Sequence, residues 1–253
     1  MINKESLIKD IKRMGIAPAD TVLLHSSMKA IGPVDGGAEA VLDALMDYFS
    51  PGLLCFPTLS WQTVDAKPRV YDVANTPSIV GILPELFRKR PHVYRSYNPT
   101  HSIAAYGADA EAFIADDHKT GTPCGLGSTW HKLVDRDAFI LMVGCRLTTC
   151  TFLHGVEEWC DIPGRIAKPL AFTLILPDGT QTVIHSATHS AHPSTNYWKI
   201  EEGLMKHGFM KEDSFGQART LVLRARELYA YTAGCLSANP GLFDEEKEPA
   251  LNR

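Results

Sequence analysis

The residue with the clearest chemical potential is a histidine that precedes two glutamates on a predicted helix. The stretch 148–159 follows the most apolar strand of the sequence, and one of its first two threonines is expected to cap the helix. On that helix His154 shares a face with Glu157 and Glu158. An imidazole backed by a carboxylate is a competent general base near neutral pH. The same spacing is also typical of a surface pair that only stabilises a helix, so spacing alone leaves both interpretations open.

Two other reactive arrangements are compatible with the sequence. Cys150 lies one helical turn before His154, and an adjacent imidazole lowers the pKa of a thiol, although a buried, unreactive cysteine is the commoner case. Further on, His185, His189 and His192 form a cluster that could bind zinc with a cysteine or a carboxylate. Their spacings match no fixed metal motif, so we expect no metal and interpret the cluster as a polar rim. A metal-dependent hydrolase remains the alternative function.

Polar side chains follow several apolar strands at the points where the strands end. His25, Ser26 and Ser27 end one strand, Thr58 to Trp61 follow another, and Arg95 and Ser96 lead towards Ser102. Hydroxyl groups and unpaired backbone N–H groups at such ends suit phosphate and amide ligands. The alternative is that serine and threonine only cap turns and helices.

A second candidate for anion binding precedes a predicted helix. Thr76 is a plausible N-cap with Pro77 in the first turn, which would leave N–H groups pointing outward near Ser78. The loop from Arg95 to His101 carries enough donors to hold another phosphate. No Walker loop or strand-linked GxGxxG is present, so the sequence does not support a nucleotide triphosphatase or a dinucleotide enzyme.

The elements that position these residues alternate between strand and helix through the first two thirds of the chain. This alternation predicts a three-layer α/β/α fold with a central mixed, largely parallel sheet. Residues 170–176 and 181–185 flank a Pro-Asp-Gly turn and predict a hairpin that extends the sheet antiparallel. Helices are predicted at 197–207 and at 215–233, and a polar tail from residue 239.

Composition limits the class of protein. The chain has 253 residues, of which 45% are hydrophobic, and a net charge of −4. This length and hydrophobic content are enough to bury the core of one domain. We expect that domain to consist of a βα core over 1–165, a hairpin and helices over 166–238, and a tail over 239–253. The sequence lacks basic runs, a long apolar stretch and a signal peptide, so we expect a cytoplasmic protein with neither a nucleic-acid nor a membrane partner. The six scattered cysteines indicate reduced thiols.

The order of short motifs over roughly residues 1–165 resembles the aminoglycoside 3-N-acetyltransferase family, which is distinct from the GNAT fold. The matching strings are Leu24-His25-Ser26-Ser27, Val34-Asp35-Gly36-Gly37-Ala38, Phe56-Pro57-Thr58-Leu59-Ser60-Trp61, Tyr71-Asp72, Thr76-Pro77-Ser78, Gly81, Phe87-Arg88, Arg95-Ser96, Pro99-Thr100-His101-Ser102, Ala104-Ala105, Gly107, Pro123, Gly125, Ser128, Thr151-Phe152-Leu153-His154 and Glu157. No single string is as specific as their succession.

The resemblance implies acetyl-CoA as the donor and a direct transfer to an amine without an acyl-enzyme. It implies His154 as the catalytic base, with Glu157 beside it. The cofactor-binding residues that we assign are His25, Ser26, Ser27, Thr76, Ser78, Arg95, Ser96 and Ser102. The assigned acceptor-binding residues are Trp61, Asp72, Glu158, His189 and His192.

The sequence departs from this family in two places. Antibiotic-modifying members carry an acidic stretch after the hairpin, whereas this chain has Thr188-His189-Ser190-Ala191-His192-Pro193. A polycationic aminoglycoside would lose attractive charge there, so we expect aminoglycosides to be poor acceptors and leave the small-molecule amine unidentified. The other departure is Asn98, where a histidine is frequent. A monomer or a homodimer is expected, and a catalytically inactive small-molecule-binding protein is a further alternative.

Overall fold

The computed structural model describes residues 1–64, 66–190 and 194–244, in which ten strands occur. They are β1 (Thr21–Ser26), β2 (Leu53–Pro57), β3 (Val70–Asp72), β4 (Tyr94–Arg95), β5 (Ile103–Gly107), β6 (Phe139–Val143), β7 (Leu170–Ile175), β8 (Gln181–Ser186), β9 (Met210–Phe215) and β10 (Ala218–Arg224). Seven of them form a central sheet in the order β4-β5-β2-β1-β6-β10-β9. The inner strands β1, β2 and β6 are buried over most of their length because both of their faces are covered.

Ten α-helices of the described residues cover the sheet. They are α1 (Lys4–Arg13), α2 (Met28–Ile31), α3 (Gly37–Phe49), α4 (Trp61–Val64), α5 (Ile82–Phe87), α6 (Ala110–Ile114), α7 (Thr129–Asp135), α8 (Thr151–Trp159), α9 (Glu201–Lys206) and α10 (Ala225–Ala238). Alternate residues of the sheet enter two separate hydrophobic clusters: Leu23 packs with α6, α7, α8 and α10, and Leu24 packs with α1, α3 and α5. The three-layer α/β/α architecture is therefore confirmed.

The prediction that the sheet is largely parallel was wrong. Only β2-β1-β6 are parallel, and the other four pairings are antiparallel. One cause lies in the segment 215–233, which was predicted as a helix throughout. Gly216, with φ of +60°, turns the chain between β9 and β10, and the apolar run of β10 pairs with β6 before α10 begins at Ala225.

The predicted hairpin exists, but it does not extend the central sheet. Strands β7 and β8 pair antiparallel, and β7 also pairs in parallel with β3, which makes a separate three-stranded sheet. This sheet has its own small core, in which Tyr71, Phe172 and Leu174 are fully buried. The hairpin side chains that face this core therefore cover β3 and α4 rather than the main sheet.

The C-terminal part of the described chain corrects two more predictions. The predicted helix 197–207 is a 3-10 segment, Ser194–Ile200, followed by α9. Residues 239–244 are not a solvated tail, because Phe243 is buried against Tyr197 and Asp244 is paired with Arg165. Residues 245–253 lie outside the described residues.

None of the described helices is both long enough and apolar enough to cross a bilayer.

Candidate active site

His154 is positioned by the packing of α8. Phe152, Leu153 and Val156 of this helix are fully buried in the core beneath the sheet, so the helix cannot rotate about its axis without exposing them. His154 lies on another face and its side chain is 19% exposed. The helix begins after Cys150 without a side-chain cap, so the prediction of a threonine cap was wrong; Thr148 and Thr149 belong to a preceding 3-10 turn.

A tyrosine hydroxyl lies between His154 and Glu157. The Tyr197 hydroxyl is 2.7 Å from His154 Nδ1 and 2.5 Å from Glu157 Oε2, whereas His154 Nδ1 and Glu157 Oε2 are 3.7 Å apart. An ionised carboxylate only accepts hydrogen bonds, so the single hydroxyl proton of Tyr197 is donated to Glu157. The hydroxyl then accepts a hydrogen bond from His154 Nδ1–H. This arrangement fixes the tautomer of neutral His154 and puts the lone pair on Nε2.

Glu157 is ionised although its side chain is almost completely buried. Burial alone would raise its pKa, but hydrogen bonds involving His154, Tyr197 and Arg165, together with the Arg165 charge, hold the pKa below its usual value. Arg165 Nε lies 2.6 Å from Glu157 Oε1, and its guanidinium also reaches Asp244 at 2.6 Å. Burial and the neighbouring Glu157 charge raise the pKa of Tyr197 well above its usual value, so Tyr197 stays protonated as a donor.

His154 lines a cavity of about 580 Å³. The other lining residues are Leu59, Trp61, Val80, Thr100, His101, Thr148, Thr149, Thr151, Thr188, His189, Ser190 and Ser194. A smaller cavity of about 240 Å³ shares Leu59, Val80, Thr149 and Thr151 with it and is bounded by His25, Ser26 and Cys145 as well. The two cavities are therefore adjacent, and Thr149 and Thr151 lie at their common boundary.

Two further imidazoles line the larger cavity. The ring of His189 stacks on His154 with a centroid separation of 4.6 Å and meets the edge of His101 at the same separation. Glu158 Oε1 is 2.6 Å from His189 Nε2, so a second carboxylate–imidazole pair lies beside the first. Burial, and then the nearby His189 and His154, lower the pKa of His101 well below its usual value, so His101 is neutral.

The end of β1 forms part of the smaller cavity, as the sequence predicts for a ligand site. His25 Nε2 and Ser26 Oγ are buried and have no hydrogen-bond partner among the described residues. Burial lowers the pKa of His25 to about 4, so its imidazole is neutral. Ser27 instead caps α2, where its hydroxyl accepts a hydrogen bond from the backbone N–H of Ala30.

The other residues assigned to the donor lie in loops that support the cavities. Arg95 donates to the carbonyl oxygens of Thr58, Val73 and Thr76, and its Nε lies 3.1 Å from Ser102 Oγ. Most of its donors are therefore used within the protein, and neither cavity includes it.

Ser96, Thr76 and Ser78 are likewise outside both cavities. Ser96 Oγ accepts a hydrogen bond from the N–H of Ile103. Thr76 does not cap a helix as predicted: α5 begins after Gly81, and Thr76 Oγ1 accepts a hydrogen bond from Asp72 N–H. The Ser78 hydroxyl is buried without a hydrogen-bond partner among the described residues.

The residues assigned to the acceptor are only partly brought together. Trp61, which is 44% exposed, and His189 line the larger cavity, and Glu158 lies directly behind His189. Asp72 is elsewhere, holding the turn after β3 through hydrogen bonds from Ala74 and Asn75, and His192 lies outside the described residues. At the second departure from the family, the buried Asn98 side chain accepts a hydrogen bond from His101 N–H and so shapes the loop.

The structure does not assemble the alternative chemistries. His185 is exposed on β8, away from His189. Among the described residues, Cys124, Glu158 and His189 form one group of side chains of the types that bind metals. Glu158 Oε1 and His189 Nε2 are 2.6 Å apart, which is a hydrogen-bond distance. Two ligand atoms of one tetrahedral zinc lie about 3.3 Å apart. Burial raises the pKa of Cys150 to about 12, which removes it as a thiolate nucleophile.

Comparison with known proteins gives the family. The sequence profile of aminoglycoside 3-N-acetyltransferases matches residues 23–237 of this chain. The chain belongs to the aminoglycoside 3-N-acetyltransferase family. The resemblance predicted from the motifs is thereby confirmed, together with the acyltransferase class of the enzyme, and a metal-dependent hydrolase is not favoured.

Relatives of this chain include aminoglycoside N(3)-acetyltransferases of several organisms. Aminoglycoside N(3)-acetyltransferase VII of Streptomyces paromomycinus is 33% identical over 65% of this chain and 63% of its own. Aminoglycoside N(3)-acetyltransferase IV of Salmonella sp is 27% identical over 99% of this chain and 93% of its own. Aminoglycoside N(3)-acetyltransferase III of Serratia marcescens is 30% identical over 69% of this chain and 71% of its own.

Solved structures show the same fold. AAC(3)-IVa, as the apoenzyme, superposes with a TM-score of 0.81 at 26% identity and covers 96% of this acetyltransferase and 91% of its own chain. A mutant of AAC(3)-IVa in complex with a gentamicin has a TM-score of 0.82 at 25% identity, with the same coverage. AAC-IIIb with CoASH has a TM-score of 0.82 at 25% identity over 93% of this chain and 96% of its own.

Sequence reasoning missed three residues of the acetyltransferase site. Tyr197 and Arg165 contact Glu157 from separate segments, and no spacing signal connects them to α8. His101 was noted only as a phosphate donor, whereas its ring borders the larger cavity and its Nδ1 lies 2.9 Å from Thr100 Oγ1. The string Pro99-Thr100-His101-Ser102 in the family match was the available signal for His101.

Proposed function

We propose that this chain transfers the acetyl group of acetyl-CoA to a primary amine of a small molecule by direct attack, with His154 as the general base. The observation that carries the proposal is the hydrogen-bonded series from His154 through Tyr197 to Glu157 and Arg165. It orients an imidazole whose Nε2 carries a lone pair, at the wall of a cavity of drug-like size. The bound CoASH of AAC-IIIb, a structure with the same fold, supports acetyl-CoA as the donor.

In this mechanism His154 Nε2 takes a proton from the amine nitrogen as that nitrogen attacks the thioester carbonyl. The imidazolium that forms keeps its Nδ1–H on Tyr197, and the buried negative charge of Glu157 stabilises it. Arg165 keeps Glu157 ionised, so the carboxylate does not take the proton itself. Collapse of the tetrahedral intermediate breaks the C–S bond, the His154 imidazolium returns its proton to the departing sulfur, and CoA thiol and the amide are released.

We place the acyl end of the donor at the boundary of the two cavities, beside Thr149 and Thr151. The smaller cavity then receives the adjoining arm of the donor, where His25 Nε2 and Ser26 Oγ provide buried polar atoms with no partner among the described residues. A segment of the donor that carries amide groups would satisfy both atoms. Ser78, with its unpartnered hydroxyl, is a further candidate contact.

We propose an acceptor with fewer positive charges than an aminoglycoside. The described residues that line the larger cavity include no carboxylate, and the stretch 188–193, where the family resemblance leads us to expect acidic residues, contains His189 and His192 instead. A polycation binds weakly where its charges meet imidazole and hydroxyl groups instead of carboxylates.

The test is a panel of acceptors assayed for CoA thiol release from acetyl-CoA. We expect turnover with small mono-amines or diamines and little with gentamicin-like compounds. Efficient turnover of gentamicin would contradict the proposed acceptor class, and no amine-dependent CoA release from any compound would contradict the activity.

We also propose that the chain acts as a monomer or homodimer in the cytoplasm. All six cysteines are free in the structure, and scattered free thiols are typical of a reducing compartment. Light scattering on the purified protein gives the oligomeric state.

A further inference from the structure

His189 and Glu158 form a second acid–base pair on the wall of the larger cavity. Glu158 Oε1 is 2.6 Å from His189 Nε2 and also accepts a hydrogen bond from Cys124 N–H at 2.9 Å. The Glu158 side chain is 4% exposed and that of His189 is 12% exposed. An ionised Glu158 only accepts, so His189 Nε2 carries the proton of their bond and the lone pair of neutral His189 lies on Nδ1.

The Nδ1 atom of His189 has no hydrogen-bond partner among the described residues. The titratable or charged side chains next to this ring, within those residues, are His101, Cys124, His154 and Glu158. His101 is kept neutral by burial and Cys124 has a pKa raised well above its usual value, first by burial. Glu158, with Oε1 2.6 Å from His189 Nε2, is therefore the carboxylate of this group that can pair with a protonated His189 ring.

Proton balance requires more than one acceptor of protons in this reaction. A primary amine of ordinary basicity arrives at neutral pH as an ammonium ion, with no lone pair for attack. One N–H bond must break before attack and a second during amide formation, while the departing sulfur takes one proton to become the thiol. His154 can hold one proton at a time, and its ring stacks against that of His189 at 4.6 Å.

We propose that His189, supported by Glu158, removes the first proton from the bound acceptor ammonium, before His154 acts as the base in the attack. The inference rests on the proposed acetyl transfer and deepens it. The ammonium N–H bond breaks, its electron pair stays on nitrogen, and the proton moves to His189 Nδ1. The resulting imidazolium is held by the carboxylate of Glu158 and returns the proton to solvent.

The test is His189→Gln, because a glutamine amide can still donate to Glu158 but cannot carry a proton. With the best acceptor of the amine panel, the ratio of wild-type to variant kcat/KM is measured from pH 6 to pH 10. We expect a ratio of about 10² at pH 7. The ratio falls steadily as the pH rises towards the pKa of the acceptor ammonium, because a growing fraction of the amine arrives already deprotonated.

The conservative variant Glu158→Gln gives a second readout if His189→Gln does not fold. It removes the carboxylate that pairs with the His189 imidazolium, so kcat/KM is expected to fall at pH 7 and to approach the wild-type value as the pH rises. His207→Gln is the matched control: His207 is exposed beside Phe209, outside both cavities, and its profile is expected to equal that of the wild type.

A ratio that is constant across the pH range means that His189 only shapes the cavity, and it overturns the inference while the acetyl transfer stands. A ratio near 1 at every pH overturns it as well. If the wild type itself acetylates no amine, the proposed function fails, and the inference with it.

Discussion

The orientation of His154 depends on a hydroxyl that comes from a distant part of the chain. Tyr197 lies between His154 and Glu157 and holds the imidazole in one tautomer. Without this hydroxyl the ring could rotate, or the Nδ1–H could reach the carboxylate only across 3.7 Å. Tyr197 therefore fixes the orientation of the His154 ring, and Glu157 supplies the negative charge beside it.

Tyr197→Phe is expected to lower kcat about 10- to 100-fold, because His154 loses its fixed tautomer while Glu157 remains ionised through Arg165. Loss of one donor to a buried carboxylate is expected to cost about 1–3 kcal/mol in the free energy of unfolding. CoA release and urea unfolding measure the two effects. Tyr48→Phe is the control, since the Tyr48 hydroxyl donates to Ile16 O at 2.8 Å far from the cavity and should affect stability only. Unchanged kcat in Tyr197→Phe would show that the hydroxyl does not orient the base.

At the scale of single residues, the sequence predicted that His154 and Glu157 lie together, but it did not predict the Tyr197 hydroxyl between them. His154 and Glu157 lie three residues apart on one helix, and helical periodicity is enough to bring them together. Tyr197 and Arg165 reach Glu157 only because the chain folds back over α8, and no local spacing encodes such contacts. Asp72, which we assigned to the acceptor from the family resemblance, accepts hydrogen bonds from Ala74 and Asn75 within its own turn.

At the scale of elements, Arg95 joins the loops that follow three strands. Its guanidinium donates to carbonyl oxygens of the segments after β2 and β3, and its Nε lies beside Ser102 just before β5. The guanidinium is planar and fixed, so it holds several carbonyls at once, as an ammonium group cannot. The wall of the larger cavity that contains Leu59 and Trp61 is built on these loops.

Arg95→Lys is expected to lower the free energy of unfolding by about 2–4 kcal/mol, because buried carbonyl oxygens lose their donors. The KM for acetyl-CoA is expected to change less than about twofold, since Arg95 lies outside both cavities. The control Arg136→Lys alters an exposed ion pair with Asp109 and should cost under about 1 kcal/mol. A large rise in the KM for acetyl-CoA, with an unchanged free energy of unfolding, would instead indicate that Arg95 binds a phosphate of the donor, as the sequence suggested.

Element prediction succeeded where periodicity was long and uninterrupted. The apolar runs of β1, β2 and β6 were identified because each is buried on both faces of the sheet. The pairing partners of the strands were not predicted. The apolar run of β10 is compatible with either a helix or a strand, and only its pairing with β6 distinguishes the two. The hairpin of β7 and β8 was predicted from its turn, but which sheet it joins depends on contacts with β3.

At the scale of the whole molecule, two buried neutral imidazoles make folding dependent on pH. Burial lowers the pKa of His25 to about 4 from an ordinary value of 6.5 and that of His101 well below it. Below about pH 6.5 the unfolded chain takes up protons that the folded protein does not. Stability from these residues is therefore complete above that pH and is lost as the pH falls towards 4.

His25→Asn is expected to reduce this pH dependence. Between pH 7 and pH 4.5 the wild type should lose about 2–3 kcal/mol more of its free energy of unfolding than the variant does, on the scale of about 1.4 kcal/mol per pKa unit. Urea unfolding of both proteins at the two pH values measures this difference in lost free energy. The contribution of carboxylate titration is the same in both proteins, so it cancels in the comparison. Equal losses in the two proteins would show that His25 is protonated in the folded state.

The central claim, His154-catalysed acetyl transfer from acetyl-CoA, is tested most directly by His154→Gln. CoA release with the best acceptor of the panel is compared with the wild type, and the rise in Tm with saturating acetyl-CoA shows that the variant is folded and binds the donor. We predict a loss of at least about 10²-fold in kcat with the same rise in Tm. A folded variant that binds acetyl-CoA and retains wild-type turnover would contradict the account.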